Sequence, residues 1–186
     1  MNRVGQFSKV SYKQFQEAMS EFYDFVDAET EMVIAEQYDN IQLPTRATKG
    51  SAGYDFKSPI HIILAPGKSV KIPTGIRVQI EDGWWLGCLP RSGLGFKYRM
   101  QLNNTVGVID SDYFNSDNEG HIFFKITNDS NEGKTLEIKS GDAFAQAIFL
   151  PYGITYDDAA AGIRNGGFGS TSVPHIVEFG QTTLAS

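Results

Sequence analysis

Short apolar segments separated by turn residues follow one another along most of the chain, and this feature constrains the fold more than any other. Residues 60–80, IHIILAPGKSVKIPTGIRVQI, contain two or three such segments, with turn signals at Pro66-Gly67 and at Pro73–Gly75. Further strand-like segments are GWWLGCLP, VGVID, HIFFKITN, KTLEIKSGD and FAQAIFLPY. Short strands at such regular intervals predict an all-β sandwich or a jelly-roll-like barrel.

The two ends of the chain have a different character. Residues 11–26 carry apolar side chains at helical spacing, and Ser11 is a suitable N-cap, so they predict one amphipathic helix that either packs on the fold or binds a partner. Residues 31–38, EMVIAEQY, predict a first strand. We therefore divide the chain into an N-terminal helical extension (1–28), a β domain (29–156) and a flexible C-terminal arm (157–186).

Charge and cysteine content exclude several classes of partner. The net charge of −6 argues against a nucleic-acid surface, which is normally basic, although a few local arginines can still bind a small anion. Cys88 is the single cysteine, so no disulfide framework forms within the chain. No apolar run reaches the roughly 18 residues of a membrane span, and the N-terminus has no apolar signal region. The expectation is a soluble, cytoplasmic protein that binds neither nucleic acid nor membrane.

The segment PRSGLG has the composition of a phosphate-binding turn. Arg91 offers a planar fork of donors, Ser92 adds a hydroxyl, and Gly93 lets backbone N–H groups approach an anion closely. The same residues also suit a plain turn that ends a strand. In GDAFAQ, Gln146 is either a ligand donor or an edge residue. In SAGYDF, Asp55 either orders the water shell of a metal or pairs with a nearby base.

The segment GVIDSDYFN joins an apolar strand directly to two acids and an aromatic ring. A strand that ends at Ile109 fixes the backbone, so Asp110 is suitably placed for a general base. Tyr113 is suited to face a sugar ring, and backbone groups of Gly107 and Ile109 to bind the edge of a base. The alternative is an acidic turn that caps the strand, with Tyr113 as a surface aromatic.

A glycine-rich segment near the C-terminus, RNGGFGST, combines an arginine with hydroxyl residues. Phe168 stands between glycines and has no local neighbour to pack on, which suits stacking on a flat ligand such as a base. The alternative is a disordered tail with an incidental aromatic.

These five segments, in this order, resemble the motifs of the trimeric deoxyuridine triphosphatases, or dUTP diphosphatases, over about residues 31–172. The resemblance implies a jelly-roll-like β fold and a homotrimer with three active sites at the subunit interfaces. It also implies that the C-terminal arm closes over the site as a lid. The implied reaction converts dUTP and water into dUMP and pyrophosphate, with Mg²⁺ on the triphosphate.

The resemblance further implies a role for individual residues. Asp110 is similar to the residue that deprotonates the water attacking the α-phosphorus, and Tyr113 to the ring under the deoxyribose that leaves no room for a 2′-hydroxyl. Asp55 resembles the acid that supports the water shell of the metal or a subunit contact. The implied substrate-binding residues are Arg91, Ser92, Gly93 and Gln146 at the phosphates, Asn104, Gly107, Val108 and Ile109 at uracil, and Arg164, Phe168, Gly169, Ser170 and Thr171 in the lid.

Three features depart from the usual pattern of that family. The loop FNSDNEGHI after Tyr113 is a few residues longer than usual, and Arg164 stands one residue closer to Phe168 than usual. The N-terminal extension and the last residues lie outside the motifs. Two other functions remain open at this stage, a dCTP deaminase of the same fold and a non-catalytic, nucleotide-binding trimer that regulates a partner.

Overall fold

The computed structural model describes residues 2–23, 26–162, 164 and 166. The predicted lid residues Phe168, Gly169, Ser170 and Thr171 lie outside these ranges. The strands are β1 Gly5–Lys9, β2 Tyr54–Lys57, β3 Ile62–Leu64, β4 Ser69–Pro73, β5 Ile76–Ile80, β6 Trp84–Pro90, β7 Met100–Leu102, β8 Gly107–Ile109, β9 Phe123–Asn128, β10 Leu136–Ile138 and β11 Ala143–Pro151. The helices are α1 Tyr12–Phe22, α2 Ala28–Asp39, α3 Ser92–Tyr98 and a 3₁₀ helix Ser111–Asn115.

The strands pair antiparallel in four sheets. A four-stranded sheet has the order β2-β11-β6-β8, and a three-stranded sheet has the order β4-β9-β7. The other two sheets in the described part of the chain are the strand pairs β1-β5 and β3-β10. This architecture confirms that the fold is mainly β.

Alternating burial explains why the apolar segments form strands. In β5 the side chains of Ile76, Val78 and Ile80 are buried, while the polar residues between them point the other way. The two predicted turns before this strand contain glycines with positive φ, 75° at Gly67 and 69° at Gly75. The sequence predicted two or three strands in residues 60–80, and the structure has three, β3, β4 and β5.

The core lies between the four-stranded and the three-stranded sheet. Phe124 of β9 contacts Phe56 of β2 and Phe144 of β11, with ring centroids 5.2 and 5.3 Å apart. All three rings are almost completely buried. Edge-to-face packing of this kind fixes how the two sheets lie on each other, and with them the strand ends that carry the predicted site residues.

The N-terminal helix predicted for residues 11–26 is confirmed as α1, although it is shorter than predicted and ends at Phe22. The hydroxyl of Ser11 accepts a hydrogen bond from the Gln14 N–H at 3.1 Å, so Ser11 is the predicted N-cap. Phe15 and Met19 are completely buried against the rest of the fold. In addition, β1 pairs with β5 and ties residues 5–9 to the central part of the chain. The division at residues 28 and 156 remains a proposal.

The strand predicted for residues 31–38 is wrong, because these residues lie in helix α2. The Asp27 side chain accepts a hydrogen bond from the Thr30 N–H at 2.8 Å and caps the helix. Alanine, glutamate, methionine and glutamine favour a helix over a strand, and Ile34 is the one residue of this helix that is fully buried. A short apolar run of this kind does not distinguish the two structures by itself.

A short helix, α3, replaces the turn predicted for PRSGLGFK. Arg91 keeps an extended backbone as the N-cap, and Arg99 ends the helix in the left-handed region with φ 52°. No helix in the described part of the chain is long and apolar enough to cross a membrane.

Candidate active site

Asp55, Arg91 and Gln146 lie together, and we call them the Arg91 cluster. Arg91 Nε lies 3.3 Å from Asp55 Oδ1, and Arg91 Nη1 donates to the Ala143 carbonyl at 3.3 Å. Asp55 is 21% exposed and Arg91 is 43% exposed. The structure thus has one of the two arrangements predicted for Asp55, in which it pairs with a nearby basic residue, here Arg91. The Arg91 side chain is exposed enough for its guanidinium to bind an anion in addition.

Sheet register brings the Arg91 cluster together. Gln146 of β11 stands opposite Asp55 on one side and opposite Leu89 of β6 on the other. Its side-chain amide donates to the Pro90 carbonyl at 3.2 Å. A Cβ added to Gly53 would lie 2.6 Å from Gln146 Oε1, so a larger residue there would displace the Gln146 amide. Three segments that are far apart in the sequence therefore meet at one edge of the four-stranded sheet.

Ser92 and Gly93 continue from Arg91 as the first residues of α3. Both are exposed, and a Cβ built on Gly93 meets nothing within 4 Å. This open position lets a ligand reach the backbone N–H groups of the first helical turn, which have no partner within a helix.

The predicted uracil segment borders an apolar cavity of about 510 Å³. Asn104, Gly107, Val108 and Ile109 all line it, together with apolar residues of β6, β7 and β9. A Cβ on Gly107 would lie 3.0 Å from Cys88 Cβ, so glycine lets β8 approach β6 closely. Burial raises the pKa of the Cys88 thiol to about 12, so this thiol is an inert part of the wall.

Asp110, Asp112, Tyr113 and Arg164 form a second group, which we call the Asp110 cluster. Asp110 follows β8 in extended conformation and precedes the 3₁₀ helix. Arg164 binds both acids: Nη2 donates to Asp110 Oδ2 and Nε donates to Asp112 Oδ1 at 2.8 Å. The Arg164 side chain is 18% exposed, against 46% for Asp110 and 55% for Asp112.

Tyr113 is buried, not a surface aromatic. It is 5% exposed, and its hydroxyl donates to the His121 carbonyl at 2.8 Å. The Asn118 amide donates to the same hydroxyl at 2.9 Å. The Arg164 guanidinium carbon lies 5.9 Å from the ring centroid, so the ring borders the Asp110 cluster. Burial raises the pKa of Tyr113, which keeps the phenol neutral.

The two clusters lie toward opposite ends of strand β6. Ile109 pairs with Leu86 in antiparallel register, so Asp110 is level with Trp85, while Arg91 follows the other end of the strand. Six residues of extended chain at about 3.3 Å each separate them by roughly 20 Å. One chain by itself therefore does not bring Asp110 and Arg91 to the same small ligand.

Sequence reasoning assigned no role to two residues at this site, Asp112 of the Asp110 cluster and Asn118, which donates to Tyr113. Asp112 was in a recognised segment but had no assigned role, although its position two residues after Asp110 is a usable signal. Asn118 lies in the loop that is longer than usual, where the family pattern offers no guide. Only the fold shows that this loop returns to the Tyr113 hydroxyl.

The fold and these residues define an antiparallel β protein in which a strand that lines an apolar cavity leads directly into a pair of carboxylates. The dUTPase family model matches residues 39–172. The deoxyuridine 5′-triphosphate nucleotidohydrolase of Lactococcus lactis is 38% identical over 143 residues, which cover 74% of this chain and 94% of that protein. The chain belongs to the dUTPase family, and this confirms the resemblance seen in the sequence.

Solved structures agree with this family. The crystal structure of dUTPase from Streptococcus mutans is 30% identical with a TM-score of 0.58, and the match covers 80% of this chain and 97% of that one. A mutant dUTPase from phage phi11 of S. aureus, which coordinates a structural Mg(II) ion, is 24% identical with a TM-score of 0.55, over 67% of this chain and 92% of that one. The second likeness concerns the fold alone. The jelly-roll-like β fold predicted from the sequence is confirmed.

Proposed function

We propose that this chain hydrolyses dUTP to dUMP and pyrophosphate by attack of water on the α-phosphorus. The observation that carries the proposal is the position of Asp110 directly after Ile109, because Ile109 lies in a paired strand and lines the apolar cavity. Family membership supports the same reaction and does not favour deamination of dCTP. The reaction removes dUTP before it is built into DNA and supplies dUMP for dTMP synthesis.

Asp110 is the proposed general base. A carboxylate in hydrogen-bonding reach of water orients it and accepts its proton as the oxygen attacks phosphorus. In the described chain one oxygen of Asp110 is occupied by Arg164. A triphosphate carries more negative charge than one carboxylate and competes for the same guanidinium. Substrate binding therefore draws Arg164 onto the phosphates and leaves Asp110 to the water.

The cavity is the proposed site of the base. Backbone groups of Gly107, Val108 and Ile109, with the Asn104 side chain, hydrogen-bond the edge of uracil, and a close fit excludes the methyl group of thymine. Tyr113 lies under the deoxyribose and leaves no room for a 2′-hydroxyl. Support comes from the shared lining of the cavity and from the buried, anchored ring.

The triphosphate is assigned to the Arg91 cluster and the arm. Arg91, Ser92, Gly93 and Gln146 are the proposed phosphate ligands, since a partly exposed guanidinium and open backbone N–H groups suit this charge. In the arm, Phe168 is the proposed lid ring over uracil, and the adjacent Gly169 is a further proposed substrate-binding residue. Arg164, Ser170 and Thr171 are the proposed γ-phosphate ligands. Closure of a lid also removes competing water.

We further propose a homotrimer in which each active site combines residues of different chains. The roughly 20 Å between Asp110 and Arg91 along β6 is the reason. A neighbouring copy can place its Arg91 cluster beside the Asp110 cluster of the first chain, and cyclic symmetry then repeats the site at every interface.

Mixing two inactive variants tests this arrangement. Asp110→Asn and Arg91→Ala are each expected to be nearly inactive as homotrimers. If the two side chains come from different chains, trimers that contain both variants regain one intact site in three, or about a third of wild-type activity. Coexpression with two different tags, purification by both tags and a pyrophosphate-release assay measure this. Two differently tagged Asp110→Asn chains are the control. Mixed trimers without activity would place the whole site in one chain.

Mg²⁺ is the proposed cofactor, bound mainly by substrate phosphates and water. A hard cation of this kind usually retains several waters and takes one or two carboxylates. In residues 2–23, 26–162, 164 and 166, no group of three or more His, Cys, Asp or Glu is placed to hold a metal ion. Asp55 is accessible to water and suits a contact through a water ligand. When bound, the ion neutralises charge on the phosphates.

The reaction itself is tested by pyrophosphate release from dUTP, dTTP, dCTP and UTP in the presence of Mg²⁺. We expect dUTP to be preferred by more than about a hundredfold, because a pocket that is too small rejects both a methyl and a hydroxyl group. Release of ammonia from dCTP would identify a deaminase instead. Binding of dUTP without any product would identify a non-catalytic, regulatory protein.

A further inference from the structure

The hydroxyl of Tyr113 is held by a loop that the dUTPase pattern does not predict. We call residues 114–122, FNSDNEGHI, which lead from Tyr113 to β9, the added loop. Two groups of this loop bind the Tyr113 hydroxyl. The His121 carbonyl accepts a hydrogen bond from it at 2.8 Å, and the Asn118 amide donates one to it at 2.9 Å. The tip of the ring is thus held by two hydrogen bonds.

Asn118 is itself oriented by the turn that carries it. Its Oδ1 accepts a hydrogen bond from the Gly120 N–H at 3.2 Å, so the amide NH₂ is the group that faces Tyr113. Gly120 has φ 69°, and a Cβ there would lie 2.7 Å from both the Phe114 Cα and the Tyr113 carbonyl oxygen. Glycine is required for the loop to close tightly over the Tyr113 backbone.

The N-terminal extension fastens the same loop. The Glu119 carboxylate accepts from the Ser11 N–H at 2.7 Å and from the Ser11 hydroxyl at 2.6 Å. On the other side, Arg77 Nη2 donates to the Phe114 carbonyl at 2.6 Å, and its guanidinium lies 3.6 Å from the Phe114 ring centroid. Two of the parts of the chain that depart from the family pattern, the extension and the loop, therefore contact each other directly.

We propose that Asn118 is a positioning residue for Tyr113, and that it makes the enzyme reject ribonucleotides more strongly. This inference rests on the proposed function, in which the Tyr113 ring occupies the space of a 2′-hydroxyl. A Tyr113 hydroxyl that is bound to the His121 carbonyl alone can move about that single contact, and the ring can then tilt away from the sugar. A hydroxyl that is also held by Asn118 cannot move in this way without breaking the second hydrogen bond. The added loop and the extension thus serve specificity.

The sharpest test is Asn118→Ser. A serine hydroxyl can still accept the Gly120 N–H and keep the turn, but it is too short to reach Tyr113. We expect the ratio of kcat/KM for dUTP to kcat/KM for UTP to fall about fivefold, the scale of one net hydrogen bond. This ratio does not depend on the fraction of folded enzyme, so a simple loss of stability leaves it unchanged.

Two further variants decide between positioning and a purely structural role. Asn118→Ala removes both contacts and should lower the ratio at least as much as serine. In a Tyr113→Phe background, where no hydroxyl is present, Asn118→Ser should leave the ratio unchanged. Asp117→Ala alters an exposed neighbour in the same loop and is the matched control.

The outcomes separate the two proposals. A wild-type protein that releases no pyrophosphate from dUTP would contradict the proposed function. Active enzyme whose ratio is unchanged in both Asn118 variants would overturn the role of Asn118 alone. An equal fall in the Tyr113→Phe background would also overturn it, because the effect would then not pass through the hydroxyl.

Discussion

Asp110→Asn should lower kcat for dUTP hydrolysis by at least about a hundredfold, the scale of a lost general base, while nucleotide affinity is retained. The amide has nearly the same shape as the carboxylate but does not accept a proton from water. Its oxygen can still accept the hydrogen bond from Arg164, so the arm retains one contact. Single-turnover rates measure the chemical step, and equilibrium binding of a non-hydrolysable dUTP analogue measures affinity.

Asp112→Asn is the matched control for this experiment. Asp112 binds the same guanidinium and is similarly exposed. It lies within the 3₁₀ helix, however, and has no assigned role in proton transfer. We expect its turnover to stay within about threefold of wild type, as for the loss of a surface ion pair. A large loss in Asp112→Asn together with normal turnover in Asp110→Asn would exchange the two roles.

The sequence predicted the strands well because most of them carry a strong local signal. In β3, β4 and β5, alternation of apolar residues and the glycines at 67 and 75 agree on where each strand ends. In residues 31–38 the local signals conflicted. The apolar run suggested a strand. The Asp27 cap and the residues after it, which favour a helix, instead stabilise α2.

The site was predicted residue by residue but not in its spatial arrangement. The segments of Asp55, Arg91 and Gln146 meet because strands β2, β11 and β6 are neighbours in one sheet. No local sequence pattern shows which strands will be neighbours. The same holds for Asn118, whose contact with Tyr113 depends on a turn at Gly120. Motif order identified the family, and sheet register then showed that Asp110 and Arg91 are far apart in one chain.

His121 should make the protein lose stability in mild acid. It is completely buried, its Nε2 accepts a hydrogen bond from the Gly75 N–H at 2.8 Å, and its Nδ1 has no partner among the described residues. Such a ring is neutral. Burial, and secondarily the charge of Lys71, lowers the pKa of His121 from 6.5 to about 3, although Glu119 acts in the opposite direction.

The sign of the effect follows from proton binding. Between pH 6.5 and about 3, the unfolded chain binds a proton at this histidine and the folded chain does not. The stability contribution is therefore complete above pH 6.5 and falls by about 1.4 kcal/mol for each lower pH unit. We expect the free energy of unfolding to be about 2 kcal/mol smaller at pH 5 than at pH 7.5 from this group alone. Urea denaturation at fixed protein concentration measures it.

His121→Gln isolates this contribution, because the glutamine Oε1 can accept the Gly75 N–H but does not titrate in this range. The variant should be less dependent on pH than wild type between pH 7.5 and 5, whatever its absolute stability. His61→Gln is the control, since His61 is half exposed and pairs with Glu137 at 3.1 Å on the surface. Parallel curves for wild type and His121→Gln would show that the buried ring takes up its proton without unfolding. The Tyr113 hydroxyl, bound to the His121 carbonyl, would then stay anchored in acid.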